Sequence, residues 1–191
     1  MTTHDSYESP LVARNASEEM IRLFSPRYRI GAWRRLWLAL ADGQRKLGLP
    51  ISARQIAQLR KAVDDVDFAA AARYEQQTRH DVMAHLHTFA DAAPAARPIL
   101  HLGATSADIV DNADLVIMRD ALLLVRDWLA NVIDALGTFA RKYRGLPTLG
   151  FTHYQPAQLT TVGKRAVLWC YDFVRDLEEI ETRIDRLRFR G

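Results

Sequence analysis

Apolar residues recur through most of this chain at intervals of three and four, the spacing of helices that bury one face. The series Ile30, Trp33, Trp37 and Leu40 predicts one such helix. Ser25-Pro26 supplies an N-cap and a proline at the first helical position, and Gly48 with Pro50 stops it. Ser52 and Gln55 have the S-x-x-Q spacing of a capping box and open a short helix. Asp67 can cap another, "FAAAARYEQQ". Thr78 and Asp81 repeat the capping-box spacing, which predicts a further helix over "RHDVMAHLHTFADAA" that ends at Pro94 and Pro98. The first 16 residues, through "SPLVARNA", have no period and read as an extended arm.

From residue 99 the pattern lengthens. Leu115, Met118, Leu122, Val125, Leu129, Ile133, Leu136 and Phe139 form one apolar series that continues to about Arg144. Val162, Ala166, Trp169, Phe173, Leu177, Ile180, Ile184 and Leu187 form a second. Two helices of this length bury little surface by themselves and need partners from later chain or other subunits. The expected fold class is all-α. Residues 1–98 read as a small N-terminal helical domain, and residues 99–191 as the first long helices of an elongated bundle.

Composition narrows the class. Hydrophobic residues make up 49% and charged residues 26% of the 191, which excludes intrinsic disorder. The lone Cys170 cannot form an internal disulfide, and a reducing, cytoplasmic setting fits it best. No apolar run reaches the roughly 18–20 residues of a membrane span, and Met1 is not followed by a secretory h-region. The formal net charge is +3, mostly from arginines, with Arg183, Arg186, Arg188 and Arg190 gathered at one helix end, where cations favour the dipole. No motif or aromatic–basic interleaving points to nucleic acid.

Three polar segments carry candidate chemistry. "RHDVMAHLHTF" sets His80, His85 and His87 close together. On a helix, 80 and 85 diverge by about 140° and 85 and 87 by about 200°, while 80 and 87 stand about 10 Å apart along the axis. One metal ion cannot be shared across that spread. Arg79, His80 and Asp81 instead occupy the helix start, which is either a surface turn with a routine salt bridge or an anion site. His85 and His87 read as packing residues. "HLGATSADIVDN" places Gly103, Thr105 and Ser106 before the first long helix. This is either a well-capped start or a carboxylate or phosphate site. "TLGFTHYQPAQLTT" lies between the two long patterns and holds His153, Thr152, Gln155, Gln158 and Thr160. It serves either as a polar turn capping the next helix or as a proton-donating site, since imidazole titrates near neutral pH.

"GFTHYQPAQLTTVGKR" resembles the segment of the adenylosuccinate lyases, in the fumarase/aspartase superfamily, that carries their general-acid histidine. "SPLVARNAS", "WRRLWLALADGQRKLGLPI", "RHDVMAHLHTF", "HLGATSADIVDNADL" and "DLEEIETRIDRLRFRG" resemble the same family in the same order. The resemblance covers nearly the whole chain. It implies a β-elimination that releases fumarate from adenylosuccinate, giving AMP, and from the succinylated imidazole-carboxamide ribotide. His153 is then the acid that protonates the departing nitrogen. His80 binds and positions substrate, with Arg79 and Asp81 in the same turn. Thr105 and Ser106 hold a succinyl carboxylate, Arg14 contacts the nucleotide, and Thr152 and Gln155 are neighbours of the acid. No metal or cofactor is implied. The partners implied are a purine nucleotide and further copies of the chain in a homotetramer, with neither nucleic acid nor membrane.

Two departures qualify the resemblance. Asn15 stands where the family usually has a tyrosine. The serine that serves the family as base lies on a later mobile loop, and no serine between 1 and 191 has that setting. The chain therefore resembles the N-terminal portion of such an enzyme, inactive by itself. The competing expectations are a sister fumarate-releasing lyase and a non-catalytic assembly module on the same scaffold.

Overall fold

The computed structural model describes residues 9–190. Among them are eight α-helices, one 3-10 helix and one two-stranded antiparallel hairpin, so the chain is all-α apart from that hairpin. It divides into two units, one running to Met118 and including the final residues from Arg188, the other covering Arg119–Leu187.

The N-terminal unit begins with two short helices, α1 (Pro10–Asn15) and α2 (Glu18–Leu23). An extended arm was expected here. Pro10 instead starts one helical turn, and Ser17 caps the next by accepting the Met20 N–H at 3.2 Å. Residues 1–8, the rest of the expected arm, lie outside the described residues.

The spine of this unit is α3 (Pro26–Lys46), capped by Ser25 and ended by Gly48 at φ 94. Its apolar face, Ile30, Trp33, Trp37 and Ala41, is buried against α4 (Ala53–Ala62), α6 (Asp81–Ala92), the 3-10 helix Pro94–Ile99 and the start of α7 (Ser106–Lys142). Ser52 and Gln55 form the reciprocal capping box of α4, and Asp67 caps α5 (Phe68–Thr78), both as their spacing predicts. Edge-to-face packing sets Trp37 6.4 Å from Trp33, and Phe89 lies 6.2 Å away on its other flank.

One charge sits inside this core. Arg34 is fully buried, and its guanidinium donates to the carbonyls of Ala62 (2.8 Å) and Asp65 and to Thr88 Oγ1 (3.3 Å). Those carbonyls lie where α4 runs out of helical donors, so the arginine acts as a C-terminal cap from another helix. Burial lowers its pKa, while Asp65 and Asp64 oppose the shift.

The second unit holds the rest of α7, strands β1 (Pro147–Thr152) and β2 (Gln155–Thr161), and α8 (Val162–Arg186). The start of α8 sits directly on the end of α7. Val162 N–H donates to Leu146 O and Gly163 N–H to Tyr143 O, each at 3.0 Å. A Cβ on Gly163 would fall 2.4 Å from Ala140 O and 2.7 Å from Arg144 Cα, so only glycine allows this approach. Elsewhere the unit stays open: Trp128, Val132, Phe139, Val167, Leu168, Trp169 and Tyr171 are all exposed. No helix among the described residues is long and apolar enough to cross a membrane.

Candidate active site

The junction of α5 and α6 departs from the expected capping. Thr78 does not cap α6; it is the last residue of α5, and its hydroxyl donates back to Tyr74 O at 3.0 Å. Arg79 then turns the chain in the left-handed region, at φ 52, with its N–H on Glu75 O. The N-cap of α6 is His80, whose Nδ1 accepts the Met83 N–H at 3.5 Å. An imidazole nitrogen thus does the work usually given to a hydroxyl or carboxylate.

This cap fixes the ring. Its Nε2 lies within hydrogen-bond distance of Ser106 Oγ, 3.3 Å away at the first position of α7. Asp81 stands beside it, its Oδ1 3.5 Å from His80 Nδ1 and accepting the Val82 N–H at 2.8 Å. Thr105 N–H donates to the Asp108 carboxylate at 2.8 Å, one half of the expected capping box. Two helix starts therefore meet, with an imidazole and a hydroxyl at their junction. Such an arrangement binds carboxylate or phosphate oxygens.

His101 belongs to the same neighbourhood and was not singled out from the sequence. It sits at φ 62, and its Nδ1 accepts the Trp37 Nε1–H at 3.1 Å. Burial lowers its pKa and nearby His80 adds to the effect, opposed by Asp108. A histidine just ahead of a turn glycine was the available signal. Its partner Trp37, 64 positions away, was not legible. His85 and His87 are packing residues: His85 meets Trp33 and Phe68 edge-on, and His87 stacks on Tyr74.

The second unit presents a different group. Thr152 pairs with Gln155 across the hairpin, leaving His153 and Tyr154 as a two-residue turn. Their φ values, 50 and 63, are those of a type I′ turn. For residues other than glycine the left-handed region costs roughly 1–2 kcal/mol each. Thr152, His153, Tyr154 and Gln155 are all exposed. Helix capping falls to Thr161, whose Oγ1 accepts the Lys164 N–H at 3.1 Å. The tip residues are therefore free of that duty. Gly150 admits the Gln158 carbonyl, which would stand 3.0 Å from a Cβ, beside an irregular register between Leu149 and Phe151.

The sequence candidates thus fall into groups. Arg79, His80, Asp81, Thr105 and Ser106 gather at the α6 and α7 starts, and Thr152, His153 and Gln155 at the hairpin tip. Arg14 is exposed in the last turn of α1, with no hydrogen bond or ion pair to the other candidates among the described residues.

A family model described as Lyase matches residues 18–190. The chain belongs to this lyase family. The adenylosuccinate lyase of Schizosaccharomyces pombe is 50% identical over 194 residues, covering 100% of this chain and 40% of the relative. That of Saccharomyces cerevisiae is 48% identical with the same coverage. A solved fumarate lyase from Mesorhizobium matches with a TM-score of 0.80 at 28% identity, covering 92% of this chain and 43% of the other. The lyase chain thus spans about 40% of the length of these curated relatives. The resemblance read from its motifs agrees with these matches.

Proposed function

We propose that this lyase chain forms part of an adenylosuccinate lyase, cleaving adenylosuccinate to AMP and fumarate and the succinylated imidazole-carboxamide ribotide to its carboxamide and fumarate. A base removes the proton next to one succinyl carboxylate, and the negative charge spreads into that carboxylate as an aci-carboxylate. The adjacent C–N bond then breaks as the alkene of fumarate forms. His153 gives its proton to the departing nitrogen. The hairpin suits that task, because the imidazole stands exposed at a turn that has no part in capping α8.

His80, Ser106 and Thr105 hold the succinyl group, with Arg79 and Asp81 framing the same turn. A carboxylate there accepts the Ser106 hydroxyl and the N–H groups at the start of α7. Arg14 contacts the nucleotide, and Thr152 and Gln155 flank the acid. The base comes from the part of the relatives that this chain does not span, so the 191-residue chain alone is inactive. Residues 1–98 serve as the helical domain and residues 99–191 as the opening of the central bundle. The apolar residues left open on α7 and α8 favour a homotetramer, with the groups of one active site drawn from different copies, working in the cytoplasm.

What supports the reading most is the 50% identity to an adenylosuccinate lyase across the whole chain. The test is fumarate release from adenylosuccinate, by the chain alone and mixed with the C-terminal segment of a relative. Activity only in the mixture is expected. Activity of the chain alone would place a base within it and overturn the mechanism. A mixture that assembles but stays silent would favour a non-catalytic assembly module.

A further inference from the structure

Tyr154 is the second central residue of the hairpin turn and sits at φ 63, directly after His153 at φ 50. Two-residue turns with both residues left-handed form most readily from Asn-Gly or Asp-Gly. A tyrosine there crowds its Cβ against its own backbone. The side chain is 98% exposed and, among the described residues, makes no hydrogen bond or ring contact. A large amphipathic ring is thus held in water on a strained backbone, next to the proposed acid. Strain at a position whose side chain does no packing points to a role in binding.

We infer that Tyr154 is a substrate-contacting residue, its ring lying against the heteroaromatic ring of the nucleotide. The inference rests on the function proposed above. The chemistry of the leaving group selects this occupant. In adenylosuccinate the nitrogen that His153 protonates is attached directly to the purine, and in the ribotide it is one carbonyl away from the imidazole. A side chain adjacent to the acid therefore reaches that ring system, and an aromatic face stacks on it with centroids about 4.5–7 Å apart. The contact persists from bound substrate to transition state, so it sets affinity more than turnover.

The test compares wild type, Tyr154→Asn, Tyr154→Phe and His153→Gln in the assembly of this chain with the C-terminal segment of a relative. Asparagine suits the left-handed turn, so Tyr154→Asn should keep or raise Tm while raising KM and the Kd for AMP roughly ten-fold, the scale of one lost stacking contact. Tyr154→Phe should stay near wild type in both. A structural role would instead lower Tm and activity together and would overturn the inference. So would wild-type KM and AMP affinity in Tyr154→Asn. If that result came with impaired turnover in His153→Gln, the inference alone would fall. Unimpaired turnover in His153→Gln, or no AMP binding by wild type, would remove the parent reading and the inference with it.

Discussion

Trp37 and Trp169 are indoles on long helices, α3 and α8, and both lie on a helical apolar stripe. One is 1% exposed and the other 61%. Trp37 has partners within its own unit: Phe89, Trp33, and His101, which accepts its N–H. Trp169 belongs to a unit whose close packing is confined to Ala140, Gly163 and Ala166. The same periodicity thus encodes a finished core in one region and an open face in the other. A hydrophobic stripe specifies that a face will be covered; it does not specify that the cover lies in the same chain.

The largest effect separating the two regions should come from Trp37→Ala. It should lower the stability of the N-terminal unit by about 3–5 kcal/mol, because an enclosed aromatic leaves a cavity. Urea unfolding measures this, and a loss below about 1 kcal/mol would mean the core is not closed. Gly163→Ala should come next, at roughly 1–3 kcal/mol, through backbone contacts that cannot yield. Hydrogen exchange along α8 reads it, and unchanged protection would show that the α7–α8 approach is looser than described.

A smaller effect should follow pH. His85 lies between Trp33 and Phe68 with Arg34 nearby, and burial first, then that cation, lowers its pKa; Asp81 opposes the shift. The ring is neutral in the fold and protonates more readily in the unfolded chain, whose ordinary value is about 6.5. Its contribution is therefore intact above that value and lost progressively as pH falls below it. His101 adds a shift of the same sign. His85→Phe should flatten the decline in stability between pH 7 and 5, and an unchanged slope would assign it to other groups. The smallest effect should be Trp169→Ala, within about 0.5 kcal/mol for the unassociated chain. Sedimentation should nevertheless show weaker self-association.

Signals read correctly from the sequence were local ones. Ser25-Pro26, the Ser52/Gln55 box and Asp67 each act through residues within one turn, so their spacing carries the result. The hairpin escaped notice because its turn is His-Tyr rather than Asn-Gly, and because Pro156 interrupts what would read as a strand. His80 was recognised as belonging to a helix start but not as its cap, since imidazole is an unusual N-cap and Thr78 offered a commoner one. Arg34 carries no local signal of its burial. Its acceptors are 28, 31 and 54 positions away, beyond any local pattern. The same limit hid the bond between Trp37 and His101.

Those sequence separations also set an order in time. During synthesis, Arg34 joins the chain 28, 31 and 54 residues ahead of Ala62, Asp65 and Thr88, which receive its guanidinium. Chain elongates at about 5–20 residues per second, so the wait for Thr88 lasts seconds, long compared with the formation of a single helix. In that interval α3 can wind, but it presents a cation flanked by two indoles that have nowhere to dock. The apolar face of α3 thus stays uncovered until α6 emerges and the arginine is enclosed.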